Sequence, residues 1–83
     1  MAELAQLLLI LERPREALVY AEAAIERMPL DAGHHALRGR ALEMLGEPHL
    51  ASQELQEALR LRPDVAEWRA ALGRLYLRQG WDQ

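Results

Sequence analysis

The sequence predicts an all-α fold of five helices joined as antiparallel hairpins, and three observations predict it. Leu, Ala, Glu, Arg and Gln dominate the 83 residues, while β-branched side chains are confined to Ile10, Val19, Ile25 and Val65. That balance favours helix over strand. Pro14, Pro29, Pro48 and Pro63, with Gly46 and Gly80, cut the chain into five pieces of helical length. Laying Pro14 on Pro48 then brings the other breaks into register, Pro29 on Pro63 and Gly46 on Gly80.

The first helix is expected over residues 2–11, where Leu4, Leu7, Leu8, Leu9, Ile10 and Leu11 leave almost no polar side. Pro14 opens a second helix over 14–27 and Pro48 a fourth over 48–61, each in the first turn, where a missing N–H costs nothing. A third helix is expected over 32–45 and a fifth over 65–79, with Asp31 and Asp64 placed to cap them. Gly46 and Gly80 come after the third and fifth helices and suit the left-handed conformation that ends a helix. The fourth helix carries an apolar stripe through Leu55, Ala58 and Leu59. The fifth carries one through Val65, Trp68, Leu72, Leu75 and Tyr76. Linkers of two to four residues force consecutive helices antiparallel.

Composition narrows the function classes. The chain has no Cys, Lys, Asn, Thr or Phe, and all ten basic residues are Arg. Without cysteine there is no disulfide framework, thiolate metal site or thiol nucleophile, and the redox compartment stays open. A formal net charge of −3 argues against a nucleic-acid partner, which requires clustered positive charge. The apolar run Leu7–Leu11 is far shorter than the roughly 20 residues that cross a bilayer. No basic leader precedes it, so no membrane partner and a cytoplasmic location are expected.

Chemistry-bearing residues find no constellation. Ser52, the only serine, has His49 three residues before it inside a helix, with no glycine elbow or oxyanion loop. Glu22 with Glu26, and Glu54 with Glu57, have the spacing of a solvated helix face. His34 and His35 point about 100° apart on a helix and cannot share one metal; His34 is expected at the surface. No enzyme activity, cofactor or metal is expected.

The residues that match when the chain is laid on itself are those least tolerant of change: Pro14 with Pro48, Pro29 with Pro63, Ala17 with Ala51, Ala24 with Ala58, Gly39 with Gly73, Gly46 with Gly80. In this the chain resembles the tetratricopeptide repeat family, whose unit of about 34 residues is a helix–turn–helix. The fullest unit runs from about Ala32 to Val65. There Gly39 matches the small residue at the helix crossing, Gly46 the turn glycine, Ala51 and Ala58 the close contacts of the second helix, and Pro63 the terminal proline. Leu72-Gly73-x-x-Tyr76 followed by Gly80 is a further fragment of the pattern. The first unit departs from it, with Ala5 in place of glycine, Leu8 in place of tyrosine and Glu12 in place of the turn glycine. Arg38 stands where the family buries a leucine, and Trp68 lies five residues before Gly73 where the family's tryptophan lies four before; Trp68 is nonetheless expected in the core.

The resemblance implies a single domain over 1–83, built as about 2.5 units in a right-handed superhelical array: residues 1–31, 32–65 and a half unit 66–83. It also implies a protein–protein interaction module whose first helices line a concave, peptide-gripping face. Carried over position by position, that face comprises Gln6, Leu9, Ile10, Arg40, Met44, Arg74, Leu77 and Arg78, over a floor of Ala36 and Ala70. Arginines beside Met, Leu and Ile suit a protein or peptide partner bearing acidic residues. The absence of Lys and Asn argues against the family's carboxylate-clamp specialisation. The alternative is a structural segment of a longer array, or a scaffold that self-associates through open ends marked by the first helix and by Tyr76, Leu77 and Trp81.

Overall fold

The structure is a computed structural model and describes residues 1–81; residues 82 and 83 of the expected half unit lie outside the described residues. Among these it holds five helices and no strand: α1 (Ala2–Ile10), α2 (Pro14–Arg27), α3 (Ala32–Met44), α4 (Pro48–Leu61) and α5 (Ala66–Gln79). Every expected helix is present, with ends displaced by no more than one residue.

The breaks work as their residue types dictate. Pro14 and Pro48 sit in the first turns of α2 and α4, where a helix has N–H groups to spare. Asp31 caps α3, its carboxylate accepting from the Gly33 N–H at 3.0 Å. Asp64 does not cap α5. The capping position falls on Val65, which offers no side-chain acceptor, and Asp64 instead faces Arg62 at 3.7 Å in solvent.

Three helix exits share one conformation. Gly46 and Gly80 have φ of 79° and 71°, and Glu12, which aligns with Gly46 when Pro14 is laid on Pro48, takes φ of 58°. After each, the next N–H reaches back along the helix: Arg13 to the Leu8 carbonyl at 2.8 Å, Glu47 to Leu42 at 2.9 Å, Trp81 to Tyr76 at 3.1 Å. These bonds satisfy carbonyls that a helix end leaves open.

Each helix packs on the next in the chain, and α1 packs also on α3. The core is built from short residues at the crossings. Ala5, Ala17, Ala21, Ala51 and Ala58 are buried, with Leu55 and Leu75 the largest side chains fully enclosed. One cluster joins Leu8 and Leu9 to Ala17 and Ala41; a second joins Leu42, Ala51 and Leu55 to Ala71 and Leu75. Gly39 marks a close approach of α3 to α4. A Cβ there would lie 3.3 Å from the Ala51 carbonyl oxygen and 3.3 Å from Leu55 Cγ. Helices come this close only where side chains are short. Gly73, at the matching station of α5, faces open space.

Candidate interaction groove

Two hollows run across α1, α3 and α5. The first, about 330 Å³, is walled by Ala2 and Gln6 of α1 and by Gly33, His34, Ala36, Leu37 and Arg40 of α3, with Asp31 at one edge. The second, about 400 Å³, is walled by Arg40, Glu43 and Met44 of α3 and by Glu67, Trp68, Ala71 and Arg74 of α5, with Leu55 beneath. Arg40, Glu67 and Trp68 line both, so the two form one trough. Their walls are displaced copies. In the register that lays Pro14 on Pro48, Gly33, His34, Leu37 and Arg40 fall on Glu67, Trp68, Ala71 and Arg74.

Four of the expected binding residues, Gln6, Arg40, Met44 and Arg74, line the trough, and the other four do not. Leu9 is only 4% exposed and packs in the core with Leu8 and Ala17, because α1 turns its 5–8–9 stripe inward. Ile10 and Leu77 are 68% and 84% exposed but line neither hollow. Arg78 is tied to Glu43 and borders a separate depression with Gly46 and Pro48. On the floor, Ala36 is in place but Ala70 is exposed, and Ala71 takes its role. The α5 wall runs through Glu67, Trp68, Ala71 and Arg74, and residue 70 lies about 90° round the helix from the centre of that line.

Sequence reasoning missed two groups. Trp68, expected in the core, is only partly buried: it packs against the core and also lines both hollows. The signal was its spacing from Gly73: one residue of offset swings a side chain through about 100°. The charge balance was the other. Arg40 and Arg74 are exposed and, among the described residues, hold no ion pair or side-chain hydrogen bond. Asp31, Glu43 and Glu67 stand in the same trough, so its lining alternates in sign rather than being basic.

A polar network occupies the other side of α3. The Arg38 guanidinium reaches Glu22 of α2 at 3.1 Å and Glu54 of α4 at 2.6 Å, so this one side chain bridges three helices. Glu54 is therefore a half-buried partner and not part of a solvated face. His35 meets Glu54 at 2.8 Å and the Pro29 carbonyl at 2.7 Å. His34 is not a surface residue either: it lies partly buried, 3.8 Å from Asp31, with its Nδ1 enclosed and without a partner.

Ser52 donates its hydroxyl to the main-chain carbonyl of His49 at 2.8 Å, and the His49 ring stacks on Trp81 with centroids 4.4 Å apart. The pair thus lacks the geometry of a nucleophile and base. Trp81 also meets the edge of Tyr76, whose hydroxyl accepts from Gln56 at 2.9 Å. Both aromatics fold back on α4, leaving Leu77 as the exposed one of the three expected open-end residues. Among the described residues no group of three or more His, Asp or Glu side chains is placed to hold a metal ion. No helix among them is long and apolar enough to cross a membrane. No family model matches the chain, and no curated protein matches its sequence.

Proposed function

We propose that the chain is a non-catalytic protein–protein interaction module: a tetratricopeptide-like run of hairpins, superhelical and right-handed, that holds a peptide or helix in the trough across α1, α3 and α5. One observation carries this reading. The two hollows are displaced copies fused through Arg40, Glu67 and Trp68, so a single ligand lying along the trough meets equivalent stations in succession. Trp68, Met44 and Ala71 supply an apolar seat between two unengaged guanidiniums. Tryptophan and arginine are the side chains that most often dominate binding energy. An exposed arginine–carboxylate contact contributes only about 0–1 kcal/mol, so the apolar seat must supply most of the affinity. With acidic side chains in the lining too, the favoured ligand carries an apolar anchor and charges of both signs.

The experiment is selection of a displayed peptide library on the chain, repeated with Arg40→Glu combined with Arg74→Glu. Peptides enriched on the parent should lose at least tenfold in affinity on the double variant while helicity and melting temperature hold. Absence of enrichment, or equal binding by both, would overturn the reading. A second reading, a structural or self-associating segment, is favoured by Leu4, Leu7, Ile10 and Leu11, which leave the outer face of α1 apolar and exposed.

A further inference from the structure

We propose that His35 is a pH-sensitive latch at the joint between the α1–α2 and α3–α4 hairpins, tying the α2–α3 turn to α4 as an imidazolium and releasing one tie on deprotonation. The argument is one of donors and acceptors. Nε2 of His35 lies 2.7 Å from the Pro29 carbonyl oxygen, which can only accept, and Nδ1 lies 2.8 Å from a Glu54 carboxylate oxygen. A neutral imidazole carries one N–H and serves one of these partners; only the doubly protonated ring donates to both.

Position 35 has a counterpart that fixes its meaning. Arg69 stands at the same station of the next unit and donates to the carbonyl of Pro63, the counterpart of Pro29. The same tie between a cationic side chain and a turn carbonyl thus closes both joints. At the α4–α5 joint the cation is a guanidinium, which does not titrate near neutrality. At the α2–α3 joint it is an imidazole, which does. The unit-to-unit joint beside the first hollow is therefore the one whose tightness depends on pH.

The surrounding charges set the direction. Glu54 and Glu57 face the ring from α4, Arg38 lies on its own helix, and Glu22 of α2 reaches the network through Arg38. Burial by itself pulls the imidazole pKa down, but the bond to the Pro29 carbonyl, the bond to Glu54 and the charges of Glu54 and Glu57 outweigh it. The net effect is a rise above the ordinary 6.5. A group held above its unfolded value contributes stability that is complete below pH 6.5 and disappears as pH rises through the folded value. Each unit of that rise is a tenfold change in the folding equilibrium constant between the two limits.

The test is a histidine side-chain NMR titration of the chain, with denaturation followed in parallel as pH rises from below 6.5 into the alkaline range. The His35 midpoint should lie above 6.5, with both ring nitrogens protonated below it, and the equilibrium constant should fall across it. His35→Arg, copying Arg69, should flatten that fall. Glu54→Gln should draw the His35 midpoint down, which keeps the question decidable if the arginine variant does not fold. A His35 midpoint at or below 6.5, one unmoved by Glu54→Gln, or an undiminished slope in His35→Arg would each overturn the latch.

Discussion

At the scale of single residues, the exits of α1, α3 and α5 show one rule obeyed twice and broken once. Glycine takes the left-handed turn at 46 and 80, and an exposed glutamate is held in it at 12. A side chain in that region costs about 1–2 kcal/mol. Glycine carries its own entropic cost in the unfolded chain, about 0.4–1 kcal/mol. Glu12→Gly should therefore stabilise the protein by about 0.5–1 kcal/mol, raising the melting temperature by about 2–8 °C. Calorimetry on the two proteins measures it, and an unchanged or lower temperature would mean that Glu12 makes a contact worth the strain. The departure at 12 was visible in the sequence; its conformation was not, because only the back-bonded exit reveals that the turn survives the loss of its glycine. Leu9 was misplaced, and Trp68 placed only in part, for a related reason. A residue one position away on a helix points about 100° away, and small errors of register move a side chain between core and trough.

At the scale of elements, the helices were legible almost to the residue because proline and glycine act locally. Proline restricts the backbone before it and glycine frees the turn at its own position, whatever the tertiary surroundings. Caps are less forgiving. Asp31 and Asp64 looked equivalent in sequence, yet only Asp31 falls on the capping position: α3 begins at Ala32, directly after it, whereas α5 begins at Ala66 and is capped by Val65. Asp31→Ala should cost about 1 kcal/mol through loss of the bond to the Gly33 N–H. Asp64→Ala should be near neutral, because its 3.7 Å approach to Arg62 is solvent-exposed. Chemical denaturation of both variants checks the contrast, and equal losses would contradict the assigned cap. The polar bridge from Arg38 to Glu22 and Glu54 was beyond sequence reading altogether. Its partners lie on the helices before and after α3, and nothing local pairs them.

At the scale of the whole molecule, stability should be distributed unevenly, because a row of helices has ends. Both core clusters draw on α3, through Ala41 in one and Leu42 in the other. The α3–α4 crossing is a close one, with Gly39 set against Ala51 and Leu55. At α5 the matching crossing is unfilled, with open space above Gly73, and at α1 four large apolar residues, Leu4, Leu7, Ile10 and Leu11, lie exposed. Arrays in which each element leans on its neighbours open from the ends inward. Native-state hydrogen exchange should therefore find the amides of α3 and α4 opening only with global unfolding, while those of α1 and the outer half of α5 exchange at least tenfold faster. Adding a ligand that fills the trough should slow α1 and α5 together, since Gln6, Arg40 and Arg74 wall it from three helices. Uniform protection along the chain would show instead that the five helices open as one unit, and a ligand that slowed only one terminal helix would not be lying along the trough.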